Sequence, residues 1–321
     1  MQRRTLGRGP AITELGLGAA QFGNLYRETT DEASTAAVDA AWQAGIRYFD
    51  TAPHYGIGLS ERRLGAALAQ YPRDEFVVST KVGRLLVPTP ENVDQLDEHG
   101  FMVPAAFRRE WDFSRDGILR SFEGSLERLG LDRVDVVYLH DPDSHWQQAS
   151  TEGIAALIEL REQGLIGAIG AGMNQSAMVA RFIRETDVDV MMLAGRFTLL
   201  EQGALDELLP LALDRGVGIV AAAIYNSGLL SAPRPAADAR YDYQQAPPAL
   251  LARANAIADV CDRWGVTLPE AAVAYPLRHP AVVSVVLGTR TAEQVVSNVS
   301  RYETAIPDEL WAELQSEGLI P

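Results

Sequence analysis

Apolar and polar residues come in alternating blocks along the whole chain. Eight short apolar runs stand out: ITELGLGAA from Ile12, RYFDTA from Arg47, FVVSTKV from Phe76, RVDVVYLH from Arg133, AIGAGM from Ala168, DVDVMMLA from Asp187, GVGIVAAAI from Gly216 and SVVLGT from Ser284. Most are continuous rather than alternating, as in strands covered on both faces of a parallel sheet. Between them apolar residues recur at helical spacing. Ile118, Leu119, Phe122, Leu126 and Leu129 make one stripe that stops at Gly130. Ile154, Leu157, Ile158 and Arg161 follow Thr151 as N-cap and end at Gly164. Ser60 opens a helix that turns Leu64 and Leu68 inward. These are periodicity and capping signals.

Eight strand candidates, most followed by a helix, predict an α/β fold of the (β/α)8 TIM-barrel kind. The leading RRTLGRGPAIT predicts a hairpin turning at Gly7–Pro10 that plugs the bottom of the barrel. A doubly wound sheet is the rival. It wants GxGxxG directly after the first strand, and GLGAAQFG (16–23) matches loosely with no apolar helix behind it. Barrels of this kind routinely exceed 200 residues, so one domain over 1–321 is expected. Two segments break the rhythm: 84–112, with ENVDQLDEHG and FMVP, and 228–247, with PRP and YDYQQ. Both follow strands, so both are expected as long loops at strand C-terminal ends, where loops shape binding sites.

Charge narrows the partners. A net charge of −15 argues against nucleic acid and anionic membrane as ligands. No run of about 18 apolar residues offers a membrane span. The first ten residues carry a pair of arginines but no apolar run after them, so they read as no secretion signal. Cys261 is the one cysteine, read as a small buried hydrophobe in a helix; an unpaired cysteine suits a reducing compartment, and the cytoplasm is expected.

Candidate chemistry sits where the strands stop. Asp50 ends the second, with His54 and Tyr55 just beyond; Lys81 ends the third; His140 and Asp141 end the fourth; Asn174 ends the fifth. In a barrel these ends face one mouth. A phenol is a poor acid at neutral pH, a neighbouring ammonium lowers its pKa, and Asp50 would keep Lys81 charged. Tyr55 is then expected as a general acid/base aimed at one oxygen, with His140 orienting it. No metal-ligand spacing and no GxSxG elbow is present. Acid/base groups without an electrophile leave carbonyl/alcohol interconversion to an external hydride carrier. A Schiff-base aldolase using Lys81 is disfavoured, because Asp50 would keep the amine protonated. A cofactor-binding sensor or scaffold subunit is the non-catalytic alternative. For the carrier, GTRTAEQVVSN places Gly288 ahead of a helix with a Thr291/Gln294 capping box and a buried face of Val295, Val296 and Val299. Such an N-terminus receives phosphate, and Arg290 would add a bidentate donor.

These segments resemble the aldo-keto reductases. RYFDTAPHYGIGLSERRLGAAL is similar to their first signature, VSTKVG to their lysine strand, FEGSLERLGLDRVDVVYLHDPD to the segment ending in their histidine, and ALIELREQGLIGAIGAGMN to the stretch ending in their amide-binding Asn. The similarity runs from about residue 5 to 300. AGRFTLLEQ and YNSGLL resemble the branch of aldose (L-fucose) and pyridoxal dehydrogenases. The resemblance implies a barrel binding NAD or NADP without a Rossmann fold, acting on a small carbonyl or sugar. It implies a tetrad of Asp50, Tyr55, Lys81 and His140. Asn174 would hold the nicotinamide amide, and Gly288, Thr289, Arg290, Gln294 and Asn298 would surround the adenosine end. Ala194 stands where many relatives have an amide-binding Gln, three residues before the matching aromatic Phe197; Tyr225 is the candidate to stack on the nicotinamide. Arg290 is expected to reach a 2′-phosphate or stack on adenine.

Overall fold

The computed structural model describes residues 1–5, 7–242 and 244–321. Eight strands close into a barrel: β1 (Leu15–Gly18), β2 (Tyr48–Asp50), β3 (Val77–Val82), β4 (Val134–His140), β5 (Ile166–Met173), β6 (Val190–Ala194), β7 (Gly218–Ala222) and β8 (Val282–Gly288). Each pairs in parallel with its chain neighbour, and β8 returns to β1 with Leu17 opposite Leu287. The eight apolar runs are these eight strands. Their continuity has a cause: one face lines the barrel interior and the other meets the helices, so nearly every position is buried.

The longer helices surround the strands: α1 (Asp31–Gln43), α2 (Leu59–Leu68), α3 (Arg115–Leu129), α4 (Ile154–Glu162), α5 (Ser176–Glu185), α6 (Leu208–Arg215), α7 (Pro248–Arg263), α8 (Leu268–Leu277), α9 (Ala292–Glu303) and α10 (Asp308–Ser316). The Ile118–Leu129 stripe faces the sheet, and Gly130 caps α3 in the left-handed conformation at φ 66°. At the other end of the barrel Arg3–Thr5 pairs with Ala11–Thr13, and Ile12 enters the interior cluster with Val77, Val136 and Val190. The hairpin plugs the barrel, as its sequence suggests.

Four local expectations are corrected. Ser60 does not open α2; Gly58 does, and the Ser60 hydroxyl instead donates to the Ala19 carbonyl, tying α2 to the loop after β1. Thr151 is no N-cap, because helical backbone already runs from Trp146 through a π-turn into α4; its hydroxyl donates back to the Gln147 carbonyl. Val296 points outward and is exposed, leaving Val295 and half-buried Val299 as the inner face of α9. Gln294 receives the Arg290 amide rather than that of Thr291, so the expected capping box is half-formed. The 84–112 segment is more than a loop. Arg84–Pro88 and Phe107–Trp111 form an antiparallel ribbon over the mouth. The 228–247 segment holds a two-residue pairing of Arg240–Tyr241 with Gln244–Gln245. Cys261 is buried in α7 and free.

Candidate active site

Period-two geometry places the polar residues. Tyr48 and Asp50 on β2, Ser79 and Lys81 on β3, and Tyr138 and His140 on β4 are pairs two apart, so each pair shares one face. That face is the interior. Strand register sets Asp50 opposite Ser79 and Lys81 opposite Tyr138. A buried column of hydrogen bonds results: Tyr48 and Tyr138 hydroxyls lie 3.2 Å apart, Ser79 Oγ donates to Asp50 Oδ1 at 2.7 Å and lies 3.0 Å from the Tyr48 hydroxyl, and Lys81 Nζ donates to Asp50 Oδ2 at 2.7 Å and to the Thr51 carbonyl at 2.9 Å. Tyr48, Ser79 and Tyr138 escaped the sequence reading. The two-residue spacing to a charged strand end was the signal that could have found them.

Tyr55 stands on the β2–α2 loop. Backbone presses this loop against the one after β1: a Cβ on Gly56, whose φ is +62°, would lie 2.3 Å from the Gly23 carbonyl oxygen. Ile57 is held at φ 53°, unusual for a β-branched residue, which marks a loop whose shape is imposed by its surroundings. The Lys81 ammonium lies 4.8 Å from the Tyr55 ring centroid and is a hydrogen-bonding neighbour of the phenol. His140 meets the Tyr55 ring edge-on at 6.0 Å. Thus Asp50, Tyr55, Lys81 and His140 come together at the mouth, with Asp50, Lys81 and His140 all buried.

Electrostatics correct one expectation. Burial pushes the Tyr55 phenol up, and Lys81 pulls it down by less, so it stays above its ordinary value and protonated at neutral pH. Burial works against the Lys81 charge, but Asp50 and Tyr55 outweigh it and hold the amine above its ordinary pKa. Burial, with Arg84 and Lys81 nearby, holds His140 well below the usual imidazole range. His54, for the same reason and with Arg84 and Arg109 beside it, is pushed down to about 2. Both imidazoles are neutral, their rings 5.5 Å apart, and each has an Nδ1 with no partner among the described residues.

The strand-eight side holds the rest. Gly288 is exposed at the end of β8, and a Cβ there would meet the Gln21 side chain at 2.6 Å. The Gln21 carboxamide oxygen is buried without a partner among the described residues. Thr289 and Asn298 are buried, and Thr291 caps the N-terminus of α9. A bare glycine, an orphan carboxamide oxygen and a helix N-terminus form a cradle that fits a dinucleotide. Arg290 departs from expectation. Its guanidinium donates to the carbonyls of Leu25, Arg27 and Glu28 and to the Thr29 hydroxyl. It ties down the β1–α1 loop through both terminal nitrogens. Tyr225 lies with α9, its hydroxyl donating to Asn298 Oδ1 at 3.2 Å. Asn174 is exposed just past β5. Phe197 is buried in the layer between sheet and helices, against Tyr275 and His279.

Comparison with known proteins gives the family. The aldo/keto reductase family model matches residues 14–317. The chain belongs to the aldo/keto reductase family. It is 50% identical over 316 residues to the D-threo-aldose 1-dehydrogenase of a Pseudomonas species, covering 98% of this chain and 96% of that one. It is 41% identical to the pyridoxal 4-dehydrogenase of Microbacterium luteolum, covering 99% and 98%. An aldo-keto reductase from Bacillus halodurans, solved in its holo form, superposes with a TM-score of 0.78 at 25% identity, covering 100% of this chain and 97% of that one. This protein is an NAD(P)-dependent oxidoreductase.

Proposed function

We propose that this chain, as one catalytic domain over residues 1–321, interconverts the carbonyl and alcohol forms of an aldose-like substrate with NAD or NADP. The observation that carries the reading is the buried Lys81–Asp50 pair at 2.7 Å directly beside the Tyr55 ring. A bound nicotinamide would supply or accept the hydride. Gln21, Gly288, Thr289, Gln294 and Asn298 would hold the dinucleotide, with Asn174 at its amide end. Every proton step belongs to this chain. In reduction the protonated phenol of Tyr55 gives its proton to the substrate oxygen; in oxidation Tyr55, as phenolate beside the Lys81 ammonium, takes it. Neutral His140 orients that oxygen. Asp50 keeps Lys81 charged, which opposes any use of the amine as a nucleophile. The substrate class follows the relatives, one named for threo-aldoses and the other for pyridoxal. A reducing, cytoplasmic setting goes with this reading, since Cys261 is free and buried.

The test is Tyr55→Phe. Turnover, followed by nicotinamide absorbance with L-fucose, D-arabinose and pyridoxal, should fall by about 10²–10⁴-fold, the usual worth of general acid/base catalysis. Cofactor binding, followed by fluorescence titration, should persist. Near-normal turnover would overturn the role.

A further inference from the structure

Eight buried side-chain polar atoms among the described residues have no hydrogen-bond partner, and five of them ring the mouth: His54 Nδ1, Arg84 Nε, Arg109 Nε, His140 Nδ1 and Asp143 Oδ1. Buried polar groups in native proteins are nearly always paired, so five orphans at one opening ask for a common partner with several donors and acceptors. The two arginines come from the ribbon of the 84–112 segment. Arg84 lies 4.1 Å over the Trp111 ring and is ion-paired with Asp141; Arg109 is ion-paired with Asp97 and donates to the His54 carbonyl at 2.8 Å. Arg84 feels Tyr55, Asp141 and Asp143, which sets it between the phenol and the β4–α4 loop. Both guanidiniums are therefore fixed by their carboxylates, with an Nε–H each in reserve.

Charge decides the class of partner. Lys81 faces Asp50, Arg84 faces Asp141 and Arg109 faces Asp97. Each cation already has its anion, and Asp143 is left over. A phosphate or carboxylate would find no surplus positive charge there and would meet Asp143, at a cost. Hydroxyl groups donate to the Asp143 oxygen and to the imidazole nitrogens, and accept from Nε–H, without adding charge.

We propose that Arg84, Arg109 and Asp143 read the hydroxyl groups of a neutral, polyhydroxylated substrate, so that the ribbon of the 84–112 segment sets specificity for unphosphorylated aldoses. This rests on the reading of the site as a carbonyl reductase or alcohol dehydrogenase. A site built to bond a hydroxyl rejects analogues that lack it, because its own buried groups are then left unpaired.

Three proteins test this: the full-length wild type, Arg84→Met and Asp143→Ala. Arg109 is left intact because it also holds the His54 carbonyl. For each, kcat/KM is measured on L-fucose, on its phosphorylated form and on butanal, which has no hydroxyl. Wild type should prefer the free sugar to its phosphate. Each substitution should lower kcat/KM for the sugar at least about ten-fold more than for butanal. Equal losses on sugar and butanal, or no loss on either, would overturn the proposal, as would a preference for the phosphorylated sugar or turnover of pyridoxal without aldoses. If Arg84→Met does not fold, Asp143→Ala decides alone. A wild type that turns over neither sugar nor aldehyde with either nicotinamide would instead sink the parent reading.

Discussion

Ser79 and Lys81, two residues apart on β3, grip opposite oxygens of the Asp50 carboxylate at 2.7 Å each. The carboxylate is thereby fixed in direction as well as charge, and the ammonium is fixed with it beside Tyr55. Ser79→Ala should leave Asp50 Oδ1 short of a donor and the Tyr48 hydroxyl short of a partner. A buried hydrogen bond to a charged group contributes about 1.5–3 kcal/mol, and urea unfolding should show a loss of that size.

Lys81 is the only lysine in the chain. It is 2% exposed and held protonated. An amine-acylating reagent should therefore modify native protein at the N-terminus alone and gain a second adduct, on Lys81, only after unfolding. Intact-mass analysis reads this directly. Rapid native labelling of Lys81 would mean that the pair with Asp50 opens readily.

Acid should destabilise the fold through its buried histidines. An unfolded imidazole titrates near 6.5, whereas His54 is held down to about 2 and His140 well below the usual range. Between those values the unfolded chain binds protons that the folded chain does not, so stability is full above about pH 6.5 and declines as pH falls. The slope should approach about 1.4 kcal/mol per pH unit for each such histidine. Unfolding midpoints measured at neutral and mildly acidic pH should show it, and His54→Gln should flatten it.

Tyr55 gives the opposite pH signature in turnover. With its pKa above the ordinary phenol range, the donor form persists through the neutral region. Carbonyl reduction should be nearly flat from mildly acidic to neutral pH, and alcohol oxidation should climb as pH rises. Rate profiles in both directions check this; an oxidation rate independent of pH would contradict it.

Arg290→Gln should cost stability rather than switch cofactor. Its guanidinium meets three carbonyls and a hydroxyl of the β1–α1 loop. Leaving those acceptors short costs about 1–3 kcal/mol. Thermal unfolding should register the loss, while the ratio of kcat/KM for NAD and NADP should stay near its wild-type value.

The barrel was legible because each strand is covered on both faces, which leaves a continuous apolar run in the sequence. Asp50, Lys81 and His140 were legible because a charged or titratable residue closing such a run must face the open end. What the sequence hid depends on contacts between distant segments. Arg290 reads as a free cation beside a helix N-terminus, yet it turns toward Leu25–Thr29, which are more than 260 residues earlier in the chain. The net pKa of Tyr55 is set by how deeply the loop buries it, and burial outweighs the ammonium. Ser60 and Thr151 look like caps, but backbone arriving from Gly58 and from Trp146 is already turning before them. The ribbon in 84–112 hides its pattern because only Leu86 and Phe107 turn onto a small cluster with Ile57, Phe101 and Val103, while Arg84 and Arg109 tie it to the mouth.

The solitary lysine has one more consequence. Reducing sugars and other reactive aldehydes condense slowly with surface amines and scar the proteins that handle them. Here the basic side chains are arginines apart from one ammonium, and that one is enclosed beneath Tyr55 with its proton held by Asp50. The outer surface carries no side-chain amine for glycation to start from.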